Sequence, residues 1–141
     1  MFDEFEKLFY SLYEYPEIYI KIIRAIAKKA NGISRDDLIQ SIKASDGGYL
    51  NIMLKSLEEA GFVSSFLPME HTRRGVHYRL LDEYVLFYLN WIEPLHKKTR
   101  ITTTTSYWTK VIHTAAWYAW AGFAFEAVCW KHVDAIKHTL G

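Results

Sequence analysis

Two clusters in this 141-residue chain have the residue types that read nucleic acid, and a third has types that bind metals. In GYLNIMLKSLEEA, residues 48–60, Leu50, Met53, Leu54 and Leu57 fall at i, i+3, i+4 and i+7, a buried helical stripe. The other side then presents Tyr49, Asn51, Ile52, Lys55, Ser56 and Glu59. Asn51 can read adenine, and Lys55 can pair with phosphate or guanine. A second cluster, His71, Arg73 and Arg74, sits in the loop MEHTRRG, where arginines can enter a minor groove or grip the backbone. Against contact with DNA stands the charge: Lys55 is offset by Glu58 and Glu59, a poor electrostatic footprint. The third cluster, Cys129 with His132 at i+3 and His138 further on, lacks the four ligands of a zinc site.

Other chemistries are excluded by missing motifs. The chain has no G-x-x-x-x-G-K-[ST], no G-x-G-x-x-G and no G-x-S-x-G. It therefore binds no nucleotide through a P-loop and is expected to be no enzyme by itself. One cysteine permits no internal disulfide and, with an acidic start unlike a secretory leader, fits a cytoplasmic location. Residues 111–130 have the length of a membrane span. His113, Gly122 and Glu126 within them argue for a helix packed on protein instead, so no membrane partner is expected.

Charge is uneven although the net is only +1. Residues 1–20 carry five acids and one base, residues 21–81 ten bases and six acids, and residues 96–141 six bases and two acids. Nucleic-acid contact is thus expected from the middle or the final segment.

The elements that must position these residues can be read from periodicity and turn chemistry. Phe2, Phe5, Leu8, Phe9 and Leu12 make an amphipathic connector helix within residues 1–16. Pro16 opens a second helix, which Asn31-Gly32 ends. Ser34 caps a third. The fourth follows the turn SDGG and ends at Gly61. FVSSFLP and VHYRLLD then read as a two-stranded hairpin with MEHTRRG at its tip. Three helices and a hairpin over 17–81 is the order of a winged helix-turn-helix, in a mainly α chain. The fourth helix would be its recognition helix and the hairpin tip its wing. Residues 82–106 are expected to be a helix capped by Asp82 and stopped near Pro94, then an extended Thr-rich linker. Residues 107–141 read as helices with a break near Gly122.

Four strings together carry a family resemblance: LFYSLYEYPEIYIKIIRAIAKK, GGYLNIMLKSLEEAGFVSSFLP, YRLLDEYVLFYLNWIEP and WAGFAFEAVCWKHVDAIKHTLG. The chain resembles the C-terminal half of prokaryotic, notably archaeal-type, AAA+/STAND ATPases, in which a P-loop domain, a winged helix and a restriction-endonuclease-like domain follow one another. The resemblance implies a non-catalytic winged-helix module, DNA-binding or regulatory, without the P-loop domain that takes ATP and Mg in the family. The other implied readings are a module that packs on an ATPase domain without touching DNA, and a fragment of a PD-(D/E)XK-like nuclease. Residues 107–141 match the opening helices of the nuclease-like domain, and Glu126 is where the family's metal-holding glutamate would fall. Without the family's other acidic positions it is expected to pair within a packed helix, near Lys131 or His132. On this reading Trp117, Trp120, Phe123, Phe125 and Trp130 are exposed in some combination, and residues 107–140 drive self-association.

Overall fold

The computed structural model describes residues 3–44, 47–69, 75–98 and 105–141. The elements are α1 (Glu4–Leu12), α2 (Pro16–Ala27), β1 (Ile33–Ser34), α3 (Arg35–Ile42), α4 (Gly47–Glu59), β2 (Val63–Phe66) and β3 (His77–Leu80). There follow α5 (Glu83–Phe87), a π-helical turn (Tyr88–Ile92), α6 (Glu93–Lys98), α7 (Thr105–Val111), α8 (Ala115–Lys131) and α9 (Val133–Leu140).

Side-chain caps fix several helix starts by accepting from an otherwise orphan N–H. Asp3 accepts from Glu6 N–H at 2.8 Å, Ser34 from Asp37 N–H at 3.1 Å, and Asp82 from Val85 N–H at 2.8 Å. Pro16 is the first residue of α2, where its missing N–H leaves no gap in the ladder.

The sheet is antiparallel in the order β1-β3-β2. Ile33 faces Tyr78 and Ser34 faces His77 on one side of β3, and Val63 faces Leu80 and Phe66 faces His77 on the other. The sequence predicts only the β2–β3 hairpin. A two-residue strand shows no alternation, and extended Ser34 serves both as ladder residue and as cap of α3.

One apolar core joins α1 through the π turn. Phe5, Phe9, Ile22, Ile23, Leu38, Leu50, Leu57, Val63 and Val85 are fully buried in it. Each such side chain contributes about 1.5–3 kcal/mol relative to exposure. Phe5 stacks on Tyr88 at 5.5 Å and Phe9 meets Phe62 at 5.1 Å, so α1 is part of this core. Arg24 reinforces the join by pairing with Glu6 of α1 at 3.4 Å and with Glu93 of α6.

Three expectations need correction. Pro94 does not stop a helix; it is the second residue of α6. The preceding π turn explains this. Glu93 N–H reaches back five residues to the Tyr88 carbonyl, and the Asn90 amide donates to the Leu86 carbonyl at 2.8 Å. The α-helical ladder is already interrupted where proline would break it. Gly122 does not break a helix either. It lies inside α8, and the breaks come instead at Thr114 and His132. Glycine mid-helix costs only about 1 kcal/mol, which packing easily overrides. Finally, Thr105 begins α7, so the last residue of the Thr-rich run is helical, while residues 99–104 lie outside the described residues.

Candidate functional site

Helix α4 forms because its stripe is buried as the spacing requires: Leu50, Met53, Leu54 and Leu57 all enter the core. That orientation turns Tyr49, Asn51, Ile52 and Lys55 to solvent. Ser56 is half-buried. Arg35, the first residue of α3, donates from Nε to Asn51 Oδ1 at 3.0 Å and so ties α3 to α4. At the other end, Glu58 accepts from Ser65 N–H at 2.7 Å and ties α4 to β2. The α3–α4 pair is thereby held at both ends of α4.

The electrostatics of this face are close to neutral. Lys55 Nζ lies 3.8 Å from Glu59 Oε1, both widely exposed, an i,i+4 pair of little energetic weight. The Asn51 carbonyl oxygen already has a donor, so a bidentate contact with adenine must compete with Arg35. His71, Arg73 and Arg74 lie outside the described residues. The loop that holds them leaves β2 beside Met69, which is fully in solvent, and re-enters at Gly75, which has φ +81°.

Glu126 is placed on α8 facing the sheet, and its partners differ from those expected. It accepts from Arg79 Nη1 at 3.0 Å and from Trp130 Nε1 at 3.4 Å. The Arg79 guanidinium sits 4.3 Å from the Phe66 ring and 4.6 Å from the Trp130 ring. Lys131 instead reaches Glu83 of α5 at 2.9 Å. The hydrogen bond from Lys131 holds the Glu83 carboxyl below its usual pKa, and the same bond raises that of Lys131. His132 is the shared cap residue between α8 and α9. No three His, Cys, Asp or Glu side chains converge as metal ligands among the described residues, and Cys129 with His132 is no exception.

An aromatic cluster seats the last helices, on partners that no local pattern announces. Trp91 of the π turn meets Trp117 at 5.1 Å and Trp120 at 5.8 Å, while Phe87 stacks on Trp108 of α7 at 5.6 Å. Trp117 and Trp120 are therefore half-buried, whereas Phe123, Phe125 and Trp130 remain exposed. Between α2, β3 and α8 lies a cavity of about 210 Å³, walled by Ile26, Leu80, Trp120 and Phe123 with Arg79 and Glu126 at its rim.

Among the described residues no helix is long and apolar enough to cross a membrane. Comparison with known protein families, curated proteins and solved structures finds no match to this chain.

Proposed function

We propose that the chain is a non-catalytic winged-helix module, of the kind its sequence resembles in AAA+/STAND ATPases, that contacts duplex DNA. The carrying observation is the α3–α4 pair. Helix α4 is buried along one side, clamped to α3 by Arg35–Asn51, and presents Tyr49, Asn51 and Lys55 together on the other side. In this reading α4 enters a major groove, while His71, Arg73 and Arg74 in the β2–β3 loop grip the adjacent backbone. The chain's own residues supply positioning only. ATP and Mg belong to a P-loop domain, whose sequence motif is absent here.

A second reading rests on a specific observation as well. The α4 face exposes Ile52 and Tyr49 and has Lys55 opposite Glu59, a composition suited to packing on an ATPase domain. A nuclease fragment has less support, because Arg79 and Trp130 occupy the Glu126 carboxylate.

A salt titration of labelled duplex binding to the full chain separates the first two. The DNA reading expects log affinity to fall with log salt by about 0.9 per phosphate contacted, and the slope to shrink in Arg73→Ala/Arg74→Ala. Absence of binding at low salt would assign α4 to a protein partner.

A further inference from the structure

A groove that adjoins the outward face of α4 at Tyr49 runs along the junction of α2 with the C-terminal end of α3. Two concavities make it, of about 490 Å³ and 330 Å³, and they share Lys21, Ile42 and Lys43 in their walls. The first is flanked by Tyr15 and Tyr49, which are 60% and 48% exposed. The second continues past Arg24 to Lys28. Lys21 lies on α2 and Lys28 caps its C-terminal end two turns further on, a run of about 10 Å.

The charge along this groove is one-sided. No carboxylate lines either concavity among the described residues; Asp46 lies outside them. Arg24 is neutralised by Glu6 and Glu93, but Lys21, Lys28 and Lys43 are exposed and have no ion-pair partner among the described residues. Lys43 is also unusual in its backbone. It takes the left-handed conformation at the end of α3, φ 54° and ψ 43°, where glycine would be free of strain. A lysine held there at a conformational cost, with its side chain in the groove, is the type of outlier that points toward function.

Cations beside exposed aromatic faces, in a concave site without acids, suit a ligand that has both phosphates and unpaired bases. Tyrosine faces can stack only on bases that are not already stacked within a duplex. We propose that this groove binds a single nucleic-acid strand, with Lys21, Lys28 and Lys43 on the phosphates and Tyr15 and Tyr49 against the bases. The groove shares only Tyr49 with the duplex contact proposed for α4; Lys21, Lys28, Lys43 and Tyr15 play no part in that reading, so variants at those four positions separate the two.

The test uses the full chain and a labelled oligothymidylate of about fifteen nucleotides, with binding followed by fluorescence anisotropy. Three phosphate contacts predict a slope of log affinity against log salt near −2, at about 0.7 per phosphate for single strands. Lys21→Gln/Lys43→Gln should lower affinity at least about tenfold and flatten that slope. Tyr15→Ala should lower affinity about fivefold or more and leave the slope unchanged, because stacking involves no counterions. Duplex binding, measured on the same variants, should persist, and it should fall in Arg73→Ala/Arg74→Ala while strand binding persists. Absence of strand binding at low salt, or binding indifferent to both groove variants, would overturn the proposal. Displacement by polyglutamate as efficient as by unlabelled strand would also overturn it, and would make the groove a site for acidic peptide.

Discussion

Arg79 Nη1 stands 3.0 Å from Glu126 Oε1, a contact between β3 and α8 across 47 positions of sequence. The Arg79 side chain is only 15% exposed, its guanidinium held between the rings of Phe66 and Trp130, while the Glu126 side chain is 53% exposed. The rings and the arginine stem therefore contribute more than the ion pair, whose open side is screened by water. Arg79→Ala is expected to destabilise the protein by about 2 kcal/mol in urea unfolding, and Glu126→Gln by less than about 1 kcal/mol. Calorimetric titration with Mg²⁺ or Mn²⁺ should give the same result for Glu126→Leu as for the unchanged protein. A loss of metal binding in that variant would restore a catalytic role to Glu126.

The Tyr88 hydroxyl is buried and has no hydrogen-bond partner among the described residues. Burial raises its pKa well above the ordinary phenol value; the Asp3 carboxylate, near the hydroxyl but outside hydrogen-bonding geometry, acts in the same direction, as does the charge of Glu93. Tyr88→Phe removes an unsatisfied polar atom and keeps the ring against Phe5, so it should stabilise the fold by about 1 kcal/mol. The pH dependence follows from the sign of the shift. A raised pKa means that the folded state keeps its proton after the unfolded chain has lost one, so stability is full below about pH 10 and falls as pH rises above it. Burial raises Tyr13, Tyr78 and Tyr84 as well, so a decline should persist in Tyr88→Phe but be shallower. Alkaline unfolding followed by circular dichroism measures both.

Two glycine-to-alanine substitutions should have opposite signs. Gly32 has φ +89°, and a Cβ there would lie 2.7 Å from the Phe66 ring and 3.2 Å from the Tyr78 carbonyl oxygen. Gly32→Ala should cost about 1–3 kcal/mol and loosen Phe66 from Arg79. Gly122 has nothing within 4 Å of its would-be Cβ and sits in mid-helix, so Gly122→Ala should stabilise by about 0.5–1 kcal/mol. Denaturant midpoints of the two variants on either side of the parent would bear this out.

The Glu83–Lys131 contact between α5 and α8 should matter only in part of the pH range. Its carboxyl has a lowered pKa, chiefly from the Lys131 hydrogen bond, so its contribution is present above the unfolded value and is lost as pH falls below about 4. Both side chains are more than a third exposed, so the contribution is below about 1 kcal/mol and should fade in high salt. Comparing the acid limb of stability for Glu83→Gln with that of the parent measures it.

Local chemistry made much of this fold legible. The i, i+3, i+4, i+7 stripe of α4, the caps at Ser34 and Asp82, and the β2–β3 pair were all written in short windows of sequence. What escaped was mostly long-range or too short to have a period. Arg79 and Glu126 gave no local sign of each other, nor did Trp91 and Trp117. β1 is two residues, too few for alternation. Pro94 misled because the rule that proline ends a helix assumes an unbroken α ladder before it. At the candidate site, the outward position of Tyr49, Asn51 and Lys55 was readable from the buried stripe, but the Arg35 donor on Asn51 was not. The groove between α2 and α3 was equally hidden, since Lys21, Lys28 and Lys43 look like ordinary surface lysines until Tyr15 and Tyr49 are placed beside them.

The wide turn at Tyr88–Ile92 resets the angular frame of the helix that runs through it. One extra residue in a turn rotates everything downstream by about 100° around the helix axis. Before the turn, Val85 points into the core; within it, Tyr88 still faces the core while Trp91 turns to the tryptophans of α8; after it, Glu93 meets Arg24. An even α-helical spiral would bring a different set of side chains to one of these two neighbours. The turn thus acts as a phase shifter that lets a single rod address two partners, and shortening it by one residue would put the rod out of step with one of them.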